Sequence, residues 1–134
     1  MKVKTVKRIL CMLMTVVLLT SGINVFAGEI SPRYTGTSMI VTDLSISSTG
    51  KASCAGSIVL YSGYTATLTM KLQQYNGSYW TTIKSWSTSD SKSLSKSYYV
   101  SSGYSYRVVT SAKVYNSAGT YVEAPSVTSV TKSY

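Results

Sequence analysis

From about residue 38 to the end of the chain, hydrophobic and polar positions alternate with a period of two, the signature of strands with one buried face. Ile40, Leu44 and Ile46 share one parity, with Asp43, Ser45 and Ser47 on the other, and the turn signal Ser48-Thr49-Gly50-Lys51 ends this first strand. In the second, Ala52, Cys54, Gly56, Ile58 and Leu60 fall on the apolar parity and Ser62-Gly63 closes it, so Cys54 is expected to point inward. The third is the cleanest. Ala66, Leu68, Met70 and Leu72 alternate with Thr67, Thr69, Lys71 and Gln73, and Asn76-Gly77 follows, a pair suited to a type I′ hairpin turn in which both central residues have positive φ.

The returning strand, Tyr79 to about Trp86, breaks the rule: Trp80, Ile83 and Trp86 do not share a parity, which predicts a bulge near Thr82. A polar loop, Ser87 to Ser93, leads to a fifth strand with Leu94, Tyr98 and Val100 on one face. After Ser101-Ser102-Gly103 comes the longest alternation, Tyr104, Tyr106, Val108, Thr110, Ala112 and Val114, which marks a central strand. Asn116-Ser117-Ala118-Gly119 turns it into a last strand from Thr120, where Pro125 implies an edge position or a bulge. The fold expected is all-β: a seven-stranded antiparallel sandwich of the immunoglobulin-like or fibronectin type III-like kind.

The first 27 residues do not belong to that pattern. Lys2, Lys4, Lys7 and Arg8 precede an apolar run from Ile9 to about Leu19, and Val25-Phe26-Ala27 supplies a small-residue cleavage site before Gly28. This reads as a secretory signal peptide, so the expected organisation is a removed leader (1–27), an N-terminal arm (28–37) and a single domain (38–134), secreted to the extracellular space. Removal lowers the formal charge from +9 to +5 and leaves 107 residues, of which 38 are Ser or Thr. All 12 tyrosines remain. Such a composition favours pleated, half-buried surfaces over helices, and the aromatic and β-branched content argues against disorder.

The Gly103-Tyr104-Ser105-Tyr106-Arg107-Val108-Val109 segment resembles the sixth strand of fibronectin type III and bacterial immunoglobulin-like domains, in which a tyrosine closes a corner; Tyr104 matches that tyrosine. The hairpin Leu72 to Ile83 is similar to a strand pair of secreted bacterial sandwiches in which a tryptophan enters the core after the turn. Ile30-Ser31-Pro32-Arg33-Tyr34-Thr35, Leu44-Ser45-Ile46-Ser47, Gly50-Lys51-Ala52-Ser53-Cys54 and the Trp86 hairpin together resemble small single-domain secreted proteins of Gram-positive, clostridia-like bacteria. That family has no assigned function, so the resemblance implies a sandwich and an extracellular place and carries over no catalytic residue.

The residue inventory bears on catalysis. There is no histidine, and a Ser-Lys pair such as Ser91-Lys92 is what chance produces in a serine-rich chain. The carboxylates left after leader removal, Glu29, Asp43, Asp90 and Glu123, sit in the arm and in different strands and loops, which does not motivate a glycosidase pair. Cys11 leaves with the leader, so Cys54 has no disulfide partner, and imidazole or thiolate metal clusters lack their ligands. Neither an enzyme nor a cofactor is expected. Asn76-Gly77-Ser78 matches a glycosylation sequon but is accounted for by the turn.

What stands out is tyrosine. Tyr61, Tyr64, Tyr75, Tyr79, Tyr99, Tyr115 and Tyr121 fall near turns or on outer positions, and tyrosine on serine-rich loops supplies rigid amphipathic contact area for recognition. The bland account is that these rings pair across outer β faces. The expectation is a non-enzymatic extracellular binding module using a Tyr/Trp-rich surface, its partner a cell-surface or host glycan or a protein. No specific nucleic acid is expected, and the membrane is met only through the leader before cleavage. The single lysines spread along the strands suit a soluble face or polyanion binding. Two further functions fit the same composition: self-association, as an adhesive surface or matrix protein, and action as a small secreted toxin or bacteriocin-like effector.

Overall fold

Inner and outer positions sort into two antiparallel sheets in the computed structural model, which describes residues 34–134. Residues 1–33, which hold the expected leader and most of the expected arm with Glu29 and Arg33, lie outside the described residues. The described residues form nine strands and no helix: β1 (Thr37–Ile46), β2 (Lys51–Leu60), β3 (Thr65–Tyr75), β4 (Trp80–Thr88), β5 (Ser93–Tyr99), β6 (Ser105–Tyr115), β7 (Tyr121–Glu123), β8 (Ser126–Thr128) and β9 (Lys132–Ser133). One sheet has the order β1-β2-β5; the other runs β4-β3-β6, with β7, β8 and β9 all paired to the far side of β6.

The count is nine rather than seven because the last strand is broken into three pieces. Pro125 has no N–H to give the ladder, yet its carbonyl still accepts a bond from the Ala112 N–H at 3.0 Å. Ser129 makes the second break tolerable: its Oγ accepts from the Val108 N–H at 2.8 Å, and its own N–H donates to the Val108 carbonyl at 2.8 Å. A side chain thus stands in for a missing ladder bond.

The two inner faces meet over Leu44, Ala52, Cys54, Ile58 and Leu94 from one sheet and Leu68, Met70, Leu72, Tyr106, Val108, Ala112 and Val114 from the other. These are the inward parities of the alternation, and burying a side chain of this size contributes about 1.5–3 kcal/mol. A polar link crosses the middle of the interface. Thr110, fully buried on β6, donates to Thr42 Oγ1 at 2.9 Å, and Thr42 in turn donates to the Ala55 carbonyl at 2.9 Å. Gly56 makes this approach feasible, because a Cβ there would lie 2.5 Å from Thr110 Oγ1.

The predicted bulge in β4 is present. The register shifts between Leu72 and Gln73, which pair with Lys84 and Thr82, leaving Ile83 as the extra residue. Both Ile83 and Trp86 therefore pack against the core, whereas Trp80, paired with Tyr75, lies on the outer face. The tryptophan entering the core is Trp86. The hairpin turn differs from the type I′ expectation: Gly77 has φ 96° but Asn76 has no positive φ. Asn76 instead accepts the Ser78 and Tyr79 N–H groups on its side-chain Oδ1, each at 3.0 Å, closing a longer loop.

A second correction concerns the corner tyrosine. Tyr106, not Tyr104, donates its phenolic hydrogen to the Ser101 carbonyl, at 2.6 Å, and accepts from Gln74 Nε2 at 3.1 Å. Strand β6 begins at Ser105 and buries its even positions, so Tyr106 is its first inward residue, while Tyr104 precedes the strand and is 41% exposed.

Candidate functional site

Because successive strands run in opposite directions, the β1–β2, β3–β4 and β5–β6 turns all gather at one end of the sandwich, joined there by the end of β9. This end carries an open cleft of about 460 Å³ lined by Tyr75, Tyr104 and Tyr134, the last with its hydroxyl turned to the Ser48 carbonyl at 3.3 Å. Asn76, Ser105 and Ser133 supply its polar groups, and Gly77 and Gly103, both at positive φ, form part of its rim.

Each ring is placed by a backbone reason. Tyr75 ends the outward parity of β3 and stands beside Ser105, which pairs on its other side with Ser133. The two serine hydroxyls lie 3.1 Å apart. Tyr134 is pinned by backbone: its carbonyl accepts from the Gly103 N–H at 2.6 Å and its N–H donates to the Tyr104 carbonyl at 3.1 Å. Its ring rests on Gly50, where a Cβ would come within 2.9 Å of it.

Alongside the cleft, on the outer face of the β4-β3-β6 sheet, Tyr75 packs against Trp80 with ring centroids 5.0 Å apart. The Arg107 guanidinium lies over Trp80 at 4.2 Å, a cation–π contact, and its Nε donates to Gln73 Oε1 at 2.8 Å. Gln73 is held in turn by its Nε2 bond to Thr82 Oγ1 at 3.3 Å. The result is a continuous strip of aromatic, hydroxyl and amide groups with one ordered cation.

The seven tyrosines singled out from the sequence divide between the two ends. Tyr75 lines the cleft, Tyr79 is on the adjoining hairpin and 63% exposed, and Tyr99, opposite Lys51, reaches the same end from the other sheet. Tyr61 and Tyr64 belong to the β2–β3 turn at the far end, where Tyr64 packs against Gly36 and the core. Tyr115 and Tyr121 form an edge-to-face pair at 6.1 Å beside the β6–β7 turn, also at the far end. Sequence reasoning missed Tyr134 and Arg107 as site residues and gave Tyr104 a different role. The available signal was the alternating direction of strands, which assigns turns to ends.

No side-chain carboxylate of the described residues lines the cleft. Asp43 edges a shallow depression of about 280 Å³ on the outer face of the β1-β2-β5 sheet, Asp90 lies in the β4–β5 loop, and Glu123 Oε1 accepts the Gly36 N–H at 2.6 Å at the far end. Among the described residues no three His, Cys, Asp or Glu side chains come together to hold a metal. Burial pushes the Cys54 thiol up from its ordinary 9.0 to about 11, keeping it protonated and unreactive. The chain matches no protein-family model, and no curated protein matches it in sequence.

Proposed function

We propose that the protein is a secreted, non-enzymatic binding module of fibronectin type III-like type that captures a saccharide in the Tyr75–Tyr104–Tyr134 cleft. The fold subtype rests on the order β1-β2-β5 facing β4-β3-β6, and on the Tyr106 hydroxyl bonded back to Ser101. The functional reading rests on one observation: three tyrosines from separate segments line an open cleft together with two serines and an asparagine. Sugar rings present apolar C–H faces and a rim of hydroxyls, which such a surface matches through stacking and hydrogen bonds.

The test is a titration of the mature chain with oligosaccharides, followed by tryptophan fluorescence, since Trp80 adjoins Tyr75. Tyr75→Ala and Tyr104→Ala are each expected to weaken binding by about ten-fold, and Tyr61→Ala, at the far end, to leave it unchanged. Equal loss from all three would remove the cleft from consideration.

A second reading, self-association, is favoured by the outer face of the β1-β2-β5 sheet, where Met39, Val41 and Val59 are all exposed around the shallow depression. Sedimentation of the wild-type chain beside Val59→Lys tests it.

A further inference from the structure

Building on the cleft reading, we infer that the ligand is an acidic saccharide rather than a neutral one, and that Arg107 is the specificity-determining residue that pairs with a sugar carboxylate. Two features of Arg107 carry this. Its guanidinium lies 4.2 Å over the Trp80 ring and is tied through Nε to Gln73, while its terminal Nη groups have no hydrogen-bond partner among the described residues. A planar fork immobilised by its neighbours and left with two parallel donors matches a carboxylate in geometry as well as charge. The ordering of the side chain has already been met in the folded protein, so little of it is lost on binding.

The place of Arg107 also fits. It stands two residues from Ser105 on the same outward parity of β6, about 7 Å along the strand. A sugar seated in the cleft over Ser105 therefore brings the neighbouring residue of its chain to the guanidinium.

Charge complementarity extends beyond this one residue. Lys71, two positions from Gln73, and Lys113, opposite Thr67, lie on the same outer face and are exposed. Asp43, Asp90 and Glu123, the acidic side chains of the described residues, all lie elsewhere. The outer face of β3 and β6 is thus cationic with no side-chain carboxylate of the described residues on it, and it suits a chain of repeated negative charges laid along these two strands.

The experiment compares a galacturonate hexamer with its fully methyl-esterified form, which keeps the sugar rings and removes the charge, and repeats the comparison with a hyaluronan hexamer and neutral chitohexaose. At least one uronate oligomer is expected to bind ten-fold or more tightly than its neutral counterpart, and Arg107→Lys, which keeps the charge and loses the fork, to remove most of that preference. The urea midpoint of the variant establishes that it folds. If it does not, Gln73→Ala, which frees the guanidinium without removing it, is expected to weaken uronate binding several-fold. Neutral and acidic oligomers binding equally, with Arg107→Lys silent, would overturn the acidic inference and leave the cleft reading intact. Binding of none would overturn both. A 20-base-pair DNA duplex binding as tightly as the uronates would reduce the effect to general basicity and overturn the role of Arg107.

Discussion

Cys54 and Tyr106 illustrate how differently single residues respond to burial. The Cys54 thiol is 1% exposed and holds its proton up to about pH 11, whereas the unfolded chain releases it near 9.0. Between those values the unfolded state binds fewer protons than the folded state, so stability falls as pH rises through the window. The loss is roughly 1 kcal/mol by pH 10, and urea unfolding at pH 8 and pH 10 should show it in the wild-type chain beyond the change seen in Cys54→Ala. Iodoacetamide at pH 8 should leave the native thiol unmodified and label it after denaturation. Tyr106 shows the opposite case, a buried polar group fully engaged by Ser101 and Gln74. Parity predicted that Cys54 is inside. It could not choose between Tyr104 and Tyr106, which share a parity, because that depends on where the strand starts.

At the scale of elements, the two sheets are held at a distance set by their smallest contact as much as by their largest side chains. Gly56 on β2 faces Thr110 on β6, and an added Cβ would meet both Oγ1 at 2.5 Å and Cγ2 at 2.8 Å. Gly56→Ala should therefore cost about 1–3 kcal/mol through overpacking. Thr110→Ala opens the space, so the double variant should be less destabilised than the sum of the singles, by more than about 0.5 kcal/mol in a double-mutant cycle. Additive losses would mean that the sheets simply separate. The turns show a second regularity of elements. Asn76 and Asn116 each accept two backbone N–H groups at 3.0 Å on Oδ1, and a glycine at positive φ completes each loop, Gly77 at 96° and Gly119 at 77°. The sequence signals that marked these turns were sound as turn signals, but the side-chain bonds replaced the tight type I′ geometry expected of Asn76-Gly77.

For the whole molecule, the question is which surfaces are free to meet another. The side of the sandwich between β4 and β5 is protected by charge: Lys84 on the bulged β4 reaches over the Tyr98 ring at 5.9 Å, and Lys96 sits opposite Cys54, on the parity that elsewhere points inward. Bulges and edge lysines discourage strand-to-strand addition. Association, if it occurs, should use the outer face of the β1-β2-β5 sheet, and Val59→Lys should then abolish any concentration dependence of sedimentation. A wild-type chain that stays monomeric at every concentration would dismiss self-association and leave the cleft as the working surface.

Alternation of side chains determined by itself that the described chain is all-β, which positions face inward, where β4 bulges and where most turns fall, because each of these depends on neighbours within a few residues. The pairing of strands into β1-β2-β5 and β4-β3-β6, the breaking of the last strand around Pro125 and Ser129, and the gathering of Tyr75, Tyr104 and Tyr134 about one cleft were decided only by the tertiary structure. The reason is range. Tyr75 and Tyr134 are 59 residues apart along the chain and meet only because β3, β6 and β9 lie side by side. The same pairing brings Arg107 beside Gln73 and, through Tyr75, beside Trp80, an arrangement that no local pattern of hydrophobic and polar positions encodes.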